Sequence, residues 1–285
     1  MKVAVIGANG QLGSDICESF SKKYEVVKLY IEDMDITNND QVNNVLGSIK
    51  PDYIINTAAY HNVPKCEVEI STSFEVNAIG ALHLAQFAED NDATLIHYST
   101  DYVFDGYKKS PYIESDLPNP LSVYANSKLA GEYFIKNYCQ KYFIIRISGI
   151  YGKVPCMAKD GNFISKIVAA AKTKPEIKVV KDEILTPTST RSIAENTLKL
   201  IETDAYDLYH MTCEGFCSWY EFTQVIFSTL NIKTPLIACS VNDFPQNVKR
   251  PFYSVLENRN LKDKKLNFMP FWKDELINFL NKNYK

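Results

Sequence analysis

The start of the chain carries the feature that most limits its possible folds, a glycine-rich turn between an apolar segment and a helix-like segment. Residues 3–6 form a short apolar run typical of a strand buried in a parallel sheet. Residues 7–13 then place three glycines in a GxxGxxG pattern, and apolar residues recur at helical spacing up to Phe20. Such a strand–turn–helix unit lets backbone N–H groups approach a pyrophosphate at the positive end of the helix. The pattern predicts dinucleotide binding, with a tight turn that binds nothing as the alternative.

Strand-like and helix-like segments alternate up to about residue 150. Strands are predicted at residues 3–6, 24–30, 53–56, 94–99 and 142–147, and helices at 14–20, 39–49, 70–91 and 124–141. This alternation predicts right-handed crossovers and an α/β fold with a Rossmann-type doubly wound parallel sheet. We therefore assign residues 1–150 to a dinucleotide-binding domain. Proline and glycine are denser beyond it, so residues 151–285 are predicted to form mainly a smaller C-terminal substrate-binding lobe, with the chain returning to the first domain around residues 180–212.

Composition argues against several classes of function. A net charge of -3 gives no electrostatic reason to bind nucleic acid or an anionic membrane. No apolar run approaches the roughly 20 residues that span a bilayer, and the first residues run straight into a strand, so no signal peptide is expected. The seven cysteines, Cys156 among them, are scattered, and the four histidines lack metal-binding spacing. We expect reduced thiols, a cytoplasmic location, and no metal, nucleic-acid or membrane partner.

The catalytic pattern is Tyr124 followed four residues later by Lys128. On a helix these two side chains share one face. A nearby ammonium lowers the pKa of a phenol from its ordinary value of about 10, so that a tyrosine can act as a general acid near neutral pH. Thr100 ends the predicted strand 94–99, at the edge where open parallel sheets bind ligands. His97 lies within the same apolar strand and is expected to be a core residue.

The end of the second predicted strand bears on the choice of cofactor. An acid there favours NAD and a cation favours NADP, but the position is held by Tyr30, with Glu32 just beyond it. We therefore expect both NADH and NADPH to be accepted. Asp35 and Ile36 suit an adenine, with a carboxylate for its amino group and an apolar wall for its ring. The alternative for Asp35 is an N-terminal helix cap near Thr37.

These motifs together resemble the extended short-chain dehydrogenases and, within them, the dTDP-4-dehydrorhamnose reductase family. The resemblance runs through nearly the whole chain, and its most specific segments are STDYVFDG at residues 99–106 and YANSKLAGE at residues 124–132. It implies reduction of a nucleotide-linked 4-keto-sugar by NADPH or NADH, in the synthesis of deoxysugars and surface polysaccharide. It also allows a homodimer.

The resemblance further implies roles for individual residues. Tyr124 would donate the proton, Lys128 would hold the nicotinamide ribose, and Thr100 would hydrogen-bond the substrate oxygen. Cofactor contacts, besides Tyr124 and Lys128, are expected at Gly7, Asn9, Gly10, Gln11, Leu12, Gly13, Asp35, Ile36, Ala58, Ala59 and Tyr60. Substrate contacts are expected at His61, Thr100, Asp101, Tyr102, Gly149, Asn162 and Arg250. For Arg250, a surface salt bridge is the alternative to a phosphate contact.

Three departures from the family pattern fall around the expected sugar pocket. Gly149 stands where the family usually has a bulky aromatic residue, His61 replaces a threonine, and Glu183 replaces a glutamine. We expect His61 to fill the space beside Gly149, and Glu183 to offer a negative charge to a hydroxyl or amino group. These changes predict that a modified 4-keto-sugar is preferred over dTDP-4-dehydrorhamnose. The alternative is that neighbouring side chains repack and the usual substrate still fits.

Two other functions remain as rivals. The first is a sugar-nucleotide epimerase or 4,6-dehydratase; dehydratases carry an Asp-Glu pair after the threonine, whereas this chain has Asp101-Tyr102. The second is a non-catalytic regulatory subunit resembling the partner of methionine adenosyltransferase. Retention of Thr100, Tyr124 and Lys128 argues against it.

Overall fold

The central sheet of the protein contains six parallel strands. The structure is a computed structural model that describes residues 1–155, 161–244 and 248–284, so Cys156 lies outside the described residues. The strands are β1 (Lys2–Ile6), β2 (Glu25–Leu29), β3 (Tyr53–Asn56), β4 (Thr94–Thr100), β5 (Tyr142–Ile147), β6 (Ile150–Tyr151), β7 (Ile177–Val180), β8 (Ile184–Leu185), β9 (Thr188–Ser189), β10 (Asp207–His210), β11 (Cys217–Ser218) and β12 (Leu236–Cys239). The central order is β2-β1-β3-β4-β5-β10. The predicted α/β fold with a parallel sheet is confirmed.

Helices cover both faces of this sheet. They are α1 (Gln11–Phe20), α2 (Asn39–Ile49), α3 (Val63–Val68), α4 (Ile70–Phe74), α5 (Gly80–Asp90), α6 (Val123–Tyr138), α7 (Phe163–Thr173), α8 (Thr190–Leu200), α9 (Trp219–Leu230), α10 (Arg259–Asp263) and α11 (Trp272–Asn283). Alternate residues of β1 point to opposite faces. Val3 and Val5 join one buried cluster, while Ala4 and Ile6 join the other. A strand buried on both sides explains the continuous apolar run.

The helix predicted over residues 70–91 is interrupted. A π-helical turn, Glu75–Ile79, separates α4 from α5. Within it Asn77 is buried and hydrogen-bonds to Tyr60 and Ser127. A π turn inserts a residue into the helical ladder and thereby re-aims a side chain. These tertiary bonds explain the interruption, which local periodicity does not show.

The second half of the chain forms small sheets and completes the large one. β6 pairs with β9, β7 with β12, and β8 with β11. The chain then returns as β10, which pairs in parallel with β5, while α8 packs against α1. Within the described ranges, no helix combines the length and apolar character needed to cross a bilayer.

The sheet order creates a crevice at its carboxyl edge. β1 lies between β2 and β3, so the chain leaves β1 in one direction and later crosses back to the other side. Open α/β sheets bind ligands at such a switch point. The glycine-rich turn after β1 and the loop after β3 both end there.

Candidate functional site

The glycine-rich turn is packed too closely for side chains at two of its glycines. Gly7 has φ +75°, which favours glycine, and a Cβ there would lie 2.9 Å from Thr57 Oγ1. A Cβ on Gly13 would lie 2.2 Å from the Gly7 carbonyl oxygen. Thr57 Oγ1 donates to the Ile6 carbonyl oxygen at 2.7 Å. The turn, the start of α1 and the loop after β3 therefore form one close-packed unit.

The N-terminus of α1 opens into the crevice. Gly10 is its N-cap, and no side chain of the described residues caps it. Among the residues that the structure describes, a Cβ on Gly10 would meet only the Gly7 carbonyl oxygen, at 3.1 Å, so these residues leave open space beyond it. The Leu12 side chain belongs to the buried core, while Asn9 is exposed. Uncapped N–H groups at a helix start favour an anion.

Gln11 and Asn162, predicted for cofactor and substrate respectively, meet each other. Asn162 Nδ2 donates to the Gly152 carbonyl oxygen at 3.0 Å and lies 3.4 Å from Gln11 Oε1. Its Oδ1 accepts from the Ser165 N–H at 3.0 Å, which caps α7. The Asn162 amide is thus fully hydrogen-bonded and ties α7 to the phosphate-side turn.

At the end of β2, Asp35 does not cap α2. Its Oδ1 accepts from the backbone N–H of Thr37 at 2.9 Å and from the Thr37 hydroxyl at 2.8 Å, while Asn38 is the cap. Ile36 is only 3% exposed, because its side chain packs where a Cβ on Gly80 would stand. Ile36 therefore has little side-chain surface left for an adenine.

The loop after β3 is fixed by two asparagines. Asn56 Oδ1 accepts from the Ala58 N–H at 3.0 Å. Asn77 accepts from the Tyr60 N–H and donates to the Tyr60 carbonyl oxygen, both at 2.9 Å. Ala58, Ala59 and Tyr60 are half-buried along the crevice. Asn77 carried no assigned role from sequence, because only the π turn brings it to this loop.

Thr100 and Tyr124 meet at the carboxyl edge of the sheet. Thr100 is the last residue of β4, and Tyr124 is the second residue of α6, which Ser122 caps. Burial raises the pKa of Tyr124 well above its ordinary value, and a hydrogen bond with Thr100 opposes that rise. The phenol is therefore protonated at neutral pH and lies beside a hydroxyl that can share its hydrogen bonds.

The contacts of the Lys128 amine in this structure differ from those expected of it. Its Nζ donates to the Tyr98 carbonyl oxygen at 2.7 Å and lies 3.0 Å from His97 Nε2. Burial lowers the pKa of Lys128 to about 8, with the charge of Glu132 opposing that fall. The expected lowering of the Tyr124 pKa by Lys128 is not found in this structure, because the amine is engaged by His97 and Tyr98.

Asp101 is a buried carboxyl group behind the Thr100 hydroxyl. Ser148 donates to it at 2.7 Å and Thr100 at 3.2 Å, and Ser254 also donates. Burial nevertheless raises the pKa of Asp101 to about 6. Ser148 and Ser254 were not identified from sequence, since they reach this carboxyl group from the residue after β5 and from the C-terminal part of the chain.

Tyr102, Glu183 and Arg250 form the outer part of the site. The Tyr102 ring packs edge-on against Tyr124, with 6.2 Å between centroids. Burial raises the pKa of Glu183, while the charge of Arg250 and a hydrogen bond from Trp219 lower it. The charges of Arg250 and Glu183 also act on Tyr102. Burial therefore outweighs the favourable effects of Arg250 and Trp219 on the Glu183 carboxylate, and Arg250 acts on this site.

The space beside Gly149 is filled by Leu185. Gly149 has φ +52°, and a Cβ there would lie 2.6 Å from Leu185 Cδ1 and 3.2 Å from Pro187 Cα. His61 Nδ1 instead lies 3.0 Å from the Ala59 carbonyl oxygen, within its own loop. The chain segment at β8 therefore supplies a filler from a distance in sequence, and the expected contact of His61 with this space stays a prediction.

The sheet order, the glycine-lined crevice and the meeting of Thr100 and Tyr124, with Lys128 one turn further along α6, define the class: a Rossmann-type protein of the short-chain dehydrogenase/reductase kind. Residues 1–285 match the family model described as the RmlD substrate binding domain, and the chain belongs to this family.

Three similar proteins cover almost the whole chain. A crystal structure of a dTDP-4-dehydrorhamnose reductase from Clostridium acetobutylicum is 40% identical, with a TM-score of 0.95 and 99% of both chains covered. The dTDP-4-dehydrorhamnose reductase from Bacillus anthracis, crystallised in complex with NADP, is 37% identical, with a TM-score of 0.94 and 99% of both chains covered. The spore coat polysaccharide biosynthesis protein SpsK of Bacillus subtilis is 34% identical, over 98% of this chain and 96% of its own.

Proposed function

We propose that this protein is an NADPH- or NADH-dependent reductase of a nucleotide-linked 4-keto-sugar, with dTDP-4-dehydrorhamnose as its substrate. The observation that carries the proposal is the placement of Thr100, the last residue of β4, and Tyr124, at the start of α6, at the carboxyl edge of the sheet, with an uncapped helix start in the same crevice. The reductases from Clostridium acetobutylicum and Bacillus anthracis support the proposal, because each is similar to this chain over 99% of both chains. The name of SpsK supports a place in surface polysaccharide synthesis.

The crevice fits a dinucleotide. Gly10 leaves open space at the start of α1, where the Gln11 and Leu12 N–H groups can bind a pyrophosphate. Ala58, Ala59 and Tyr60 line the crevice from the side of β3. When bound, NADPH or NADH supplies the hydride for reduction. The chain's own residues then have to bind the sugar, orient its carbonyl group and supply the proton.

Tyr124 donates the proton, and Thr100 orients the oxygen that receives it. The raised pKa of Tyr124 keeps its O–H intact at neutral pH, so that the phenol can donate to the carbonyl oxygen as that oxygen becomes a hydroxyl. Thr100 hydrogen-bonds the same oxygen and orients it. The phenolate left on Tyr124 is stabilised by a charged Lys128 and regains its proton from solvent. Lys128 must leave His97 to do this.

The pocket gives reasons to favour the usual substrate over a modified sugar. Leu185 closes the space beside Gly149. The charge of Arg250 and a hydrogen bond from Trp219 partly offset the burial of Glu183, so the protein itself supplies a counter-charge for this carboxyl group. Arg250 is exposed, and a guanidinium group can bind a diphosphate through two parallel hydrogen bonds. The preference for a modified sugar stays a prediction that the same assay tests.

The test is NADPH oxidation with dTDP-4-dehydrorhamnose, measured for the wild-type protein and for Tyr124→Phe. The wild-type protein should give a kcat/KM in the range of about 10⁴–10⁸ M⁻¹s⁻¹. Removing the phenol oxygen leaves the ring packed, so cofactor affinity should hold while kcat falls roughly 10²–10⁴-fold. A variant that keeps more than about a tenth of the rate would show that Tyr124 is not the acid.

The same assay separates the rival functions. Rapid turnover of an amino or otherwise modified 4-keto-sugar, with little on dTDP-4-dehydrorhamnose, would establish the altered specificity. Conversion of a sugar nucleotide without net cofactor oxidation would indicate an epimerase or dehydratase. Cofactor binding with no turnover of any 4-keto-sugar would support a regulatory subunit.

We further propose residues 1–150, with the return at 180–212, as the dinucleotide-binding domain, and residues 151–285 as mainly the sugar-nucleotide lobe. The pairing of β10 with β5 supports the return. A cytoplasmic location is supported by the buried free thiols of Cys17, Cys139, Cys213, Cys217 and Cys239. A homodimer is also proposed, and light scattering of the purified protein tests it.

A further inference from the structure

Three buried polar side chains form a row behind the site. Asn56 of β3 and His97 of β4 are each 1% exposed, and Lys128 of α6 is 2% exposed. Asn56 Nδ2 lies 3.1 Å from His97 Nδ1, and His97 Nε2 lies 3.0 Å from Lys128 Nζ. His97 therefore connects the loop after β3 to the lysine of the Tyr124–Lys128 pair.

The orientation of the Asn56 amide is fixed by its other bond. Its Oδ1 accepts from the Ala58 N–H at 3.0 Å, so the amide nitrogen is the atom that faces His97. An amide nitrogen only donates hydrogen bonds. His97 Nδ1 must therefore be an acceptor and carry no proton.

This orientation determines the proton on the other side of the ring. A neutral imidazole has one N–H and one acceptor nitrogen, so the N–H of His97 is on Nε2 and points at Lys128. An ammonium has no lone pair to accept it, whereas a neutral amine has one. A neutral Lys128 can accept from His97 and still donate to the Tyr98 carbonyl oxygen at 2.7 Å.

A charged His97 does not satisfy the same contacts. An imidazolium donates from both nitrogens, which would set its Nδ1–H against the Asn56 amide. Burial and the nearby Lys128 also lower the pKa of His97 well below its ordinary value.

The remaining charges around Lys128 are already paired. Glu132, one turn further along α6, is ion-paired with Arg146 of β5 at 2.7 Å. It also accepts from Ser99 of β4 at 2.5 Å. Tyr124, one turn back on the same helix, is a protonated phenol. Within the described residues, His97 is thus the group that hydrogen-bonds the Lys128 amine from a side chain.

We propose that His97 is a positioning residue, whose tautomer Asn56 fixes so that its Nε2–H favours the neutral form of the Lys128 amine in the ligand-free protein. To act as a cation beside Tyr124, Lys128 must leave His97, and any neutral amine must take up one proton from solvent. This inference rests on the proposed function for its catalytic meaning, and on the hydrogen-bond geometry alone for the tautomer.

The tautomer is measured on the ligand-free wild-type protein. Nitrogen-15 NMR of histidine-labelled protein resolves four histidines, and His97→Gln assigns the signal of His97. We expect a proton on Nε2, an unprotonated Nδ1, and no titration between about pH 6 and 9. A proton on Nδ1, or titration near an ordinary histidine pKa, would overturn the proposal without reference to activity.

Asn56→Asp reverses the predicted tautomer. A carboxylate at residue 56 can still accept from the Ala58 N–H but would also accept from His97 Nδ1, which leaves Nε2 free to accept from a Lys128 ammonium. The nitrogen-15 signals should now show the proton of His97 on Nδ1 and an unprotonated Nε2. The alkaline limb of the kcat/KM profile should move up by roughly one pH unit or more. A variant with the wild-type tautomer and the wild-type limb would contradict the proposal.

His210→Gln is the matched control. His210 is equally buried and hydrogen-bonds the carbonyl oxygens of Tyr112 and Glu257, away from Lys128. His210→Gln should lower stability and leave the alkaline limb of the kcat/KM profile in place. A shift of that limb equal to the shift in Asn56→Asp would count against a specific role for His97. If the wild-type protein turns over no 4-keto-sugar, the proposed function fails, while the NMR result still decides the tautomer.

Discussion

Asp101 shows how a single residue of the site can oppose folding. Its pKa rises from 3.8 to about 6 through burial, despite hydrogen bonds from Ser254, Ser148 and Thr100. Between these two values the folded state binds more protons than the unfolded state. Stability therefore falls as pH rises through this window, and the loss is complete above about pH 6. The carboxylate is retained at a cost in the free energy of unfolding.

Asp101→Asn should raise the free energy of unfolding at pH 7.5. The two pKa values differ by about 2 units, so the gain is at most about 3 kcal/mol at neutral pH and vanishes near pH 4. Urea unfolding at both pH values measures it, while kcat with the 4-keto-sugar should fall. An equal stability change at the two pH values would mean that the ionisation of Asp101 is not the cause.

Sequence alone identified Thr100 and Tyr124, which meet at the site, because a strand end and an i, i+4 pair are local patterns. It did not give the orientation of Lys128, which depends on His97 and Asn56 from two other strands. Nor did it give Leu185 as the filler beside Gly149, since these positions meet only in the folded chain.

At the scale of elements, the π turn and α6 are packed through a glycine. A Cβ on Gly131 would lie 2.3 Å from the Asn77 backbone oxygen. The contact allows the π turn to lie against α6 while Asn77 holds the Tyr60 loop. The predicted helix over residues 70–91 was correct in place and length, but this interruption is set by partners outside the helix.

Gly131→Ala should destabilise the protein although alanine favours a helix. Separation of α6 from the π turn should cost about 1–3 kcal/mol, which exceeds a helix-propensity gain of about 1 kcal/mol. Cofactor affinity should weaken as well, because the Tyr60 loop moves with Asn77. Denaturant unfolding and cofactor titration measure the two effects.

Gly47→Ala is the matched control for that substitution. Gly47 lies inside α2, and a Cβ there would have no described neighbour within 4 Å. It should stabilise the protein by roughly 0.5–1 kcal/mol and leave cofactor affinity unchanged. If Gly131→Ala also stabilises the protein and leaves cofactor affinity unchanged, the close packing against Asn77 does not contribute to either quantity.

On the scale of the whole molecule, the crevice is assembled from segments far apart in the sequence. The five strands predicted in the first half all occur in the central sheet, because runs of four to seven residues carry clear apolar patterns. The two-residue strands β6, β8, β9 and β11 were not predicted, since so short a pairing has no period to detect.

Cofactor binding should stabilise the folded protein as a whole. NADPH and NADH, each at about a hundredfold excess over its own Kd, should each add about 2.7 kcal/mol and raise Tm. Their Kd values should differ by less than a hundredfold, since Tyr30 provides neither a carboxylate nor a cation. Thermal unfolding at a series of cofactor concentrations gives both quantities.

Gly10→Val is the control for that measurement. A Cβ on Gly10 meets only one oxygen, at 3.1 Å, so the unliganded fold should tolerate the change while the pyrophosphate space is filled. Its Tm should show no response to either cofactor. A normal response would place the dinucleotide elsewhere.

The pairing of β10 with β5 has a consequence for the order of events during synthesis. The last strand of the sheet begins at Asp207, about 60 residues after β5 ends at Ile147. At typical rates of translation this interval lasts roughly 3–12 s. During that time β5 leaves the ribosome as an unpaired edge, the kind of surface on which chains associate with one another. A nascent chain of this protein is therefore most exposed to aggregation after its glycine-rich turn and Tyr124 have been made, and the second half of the gene determines when that exposure ends.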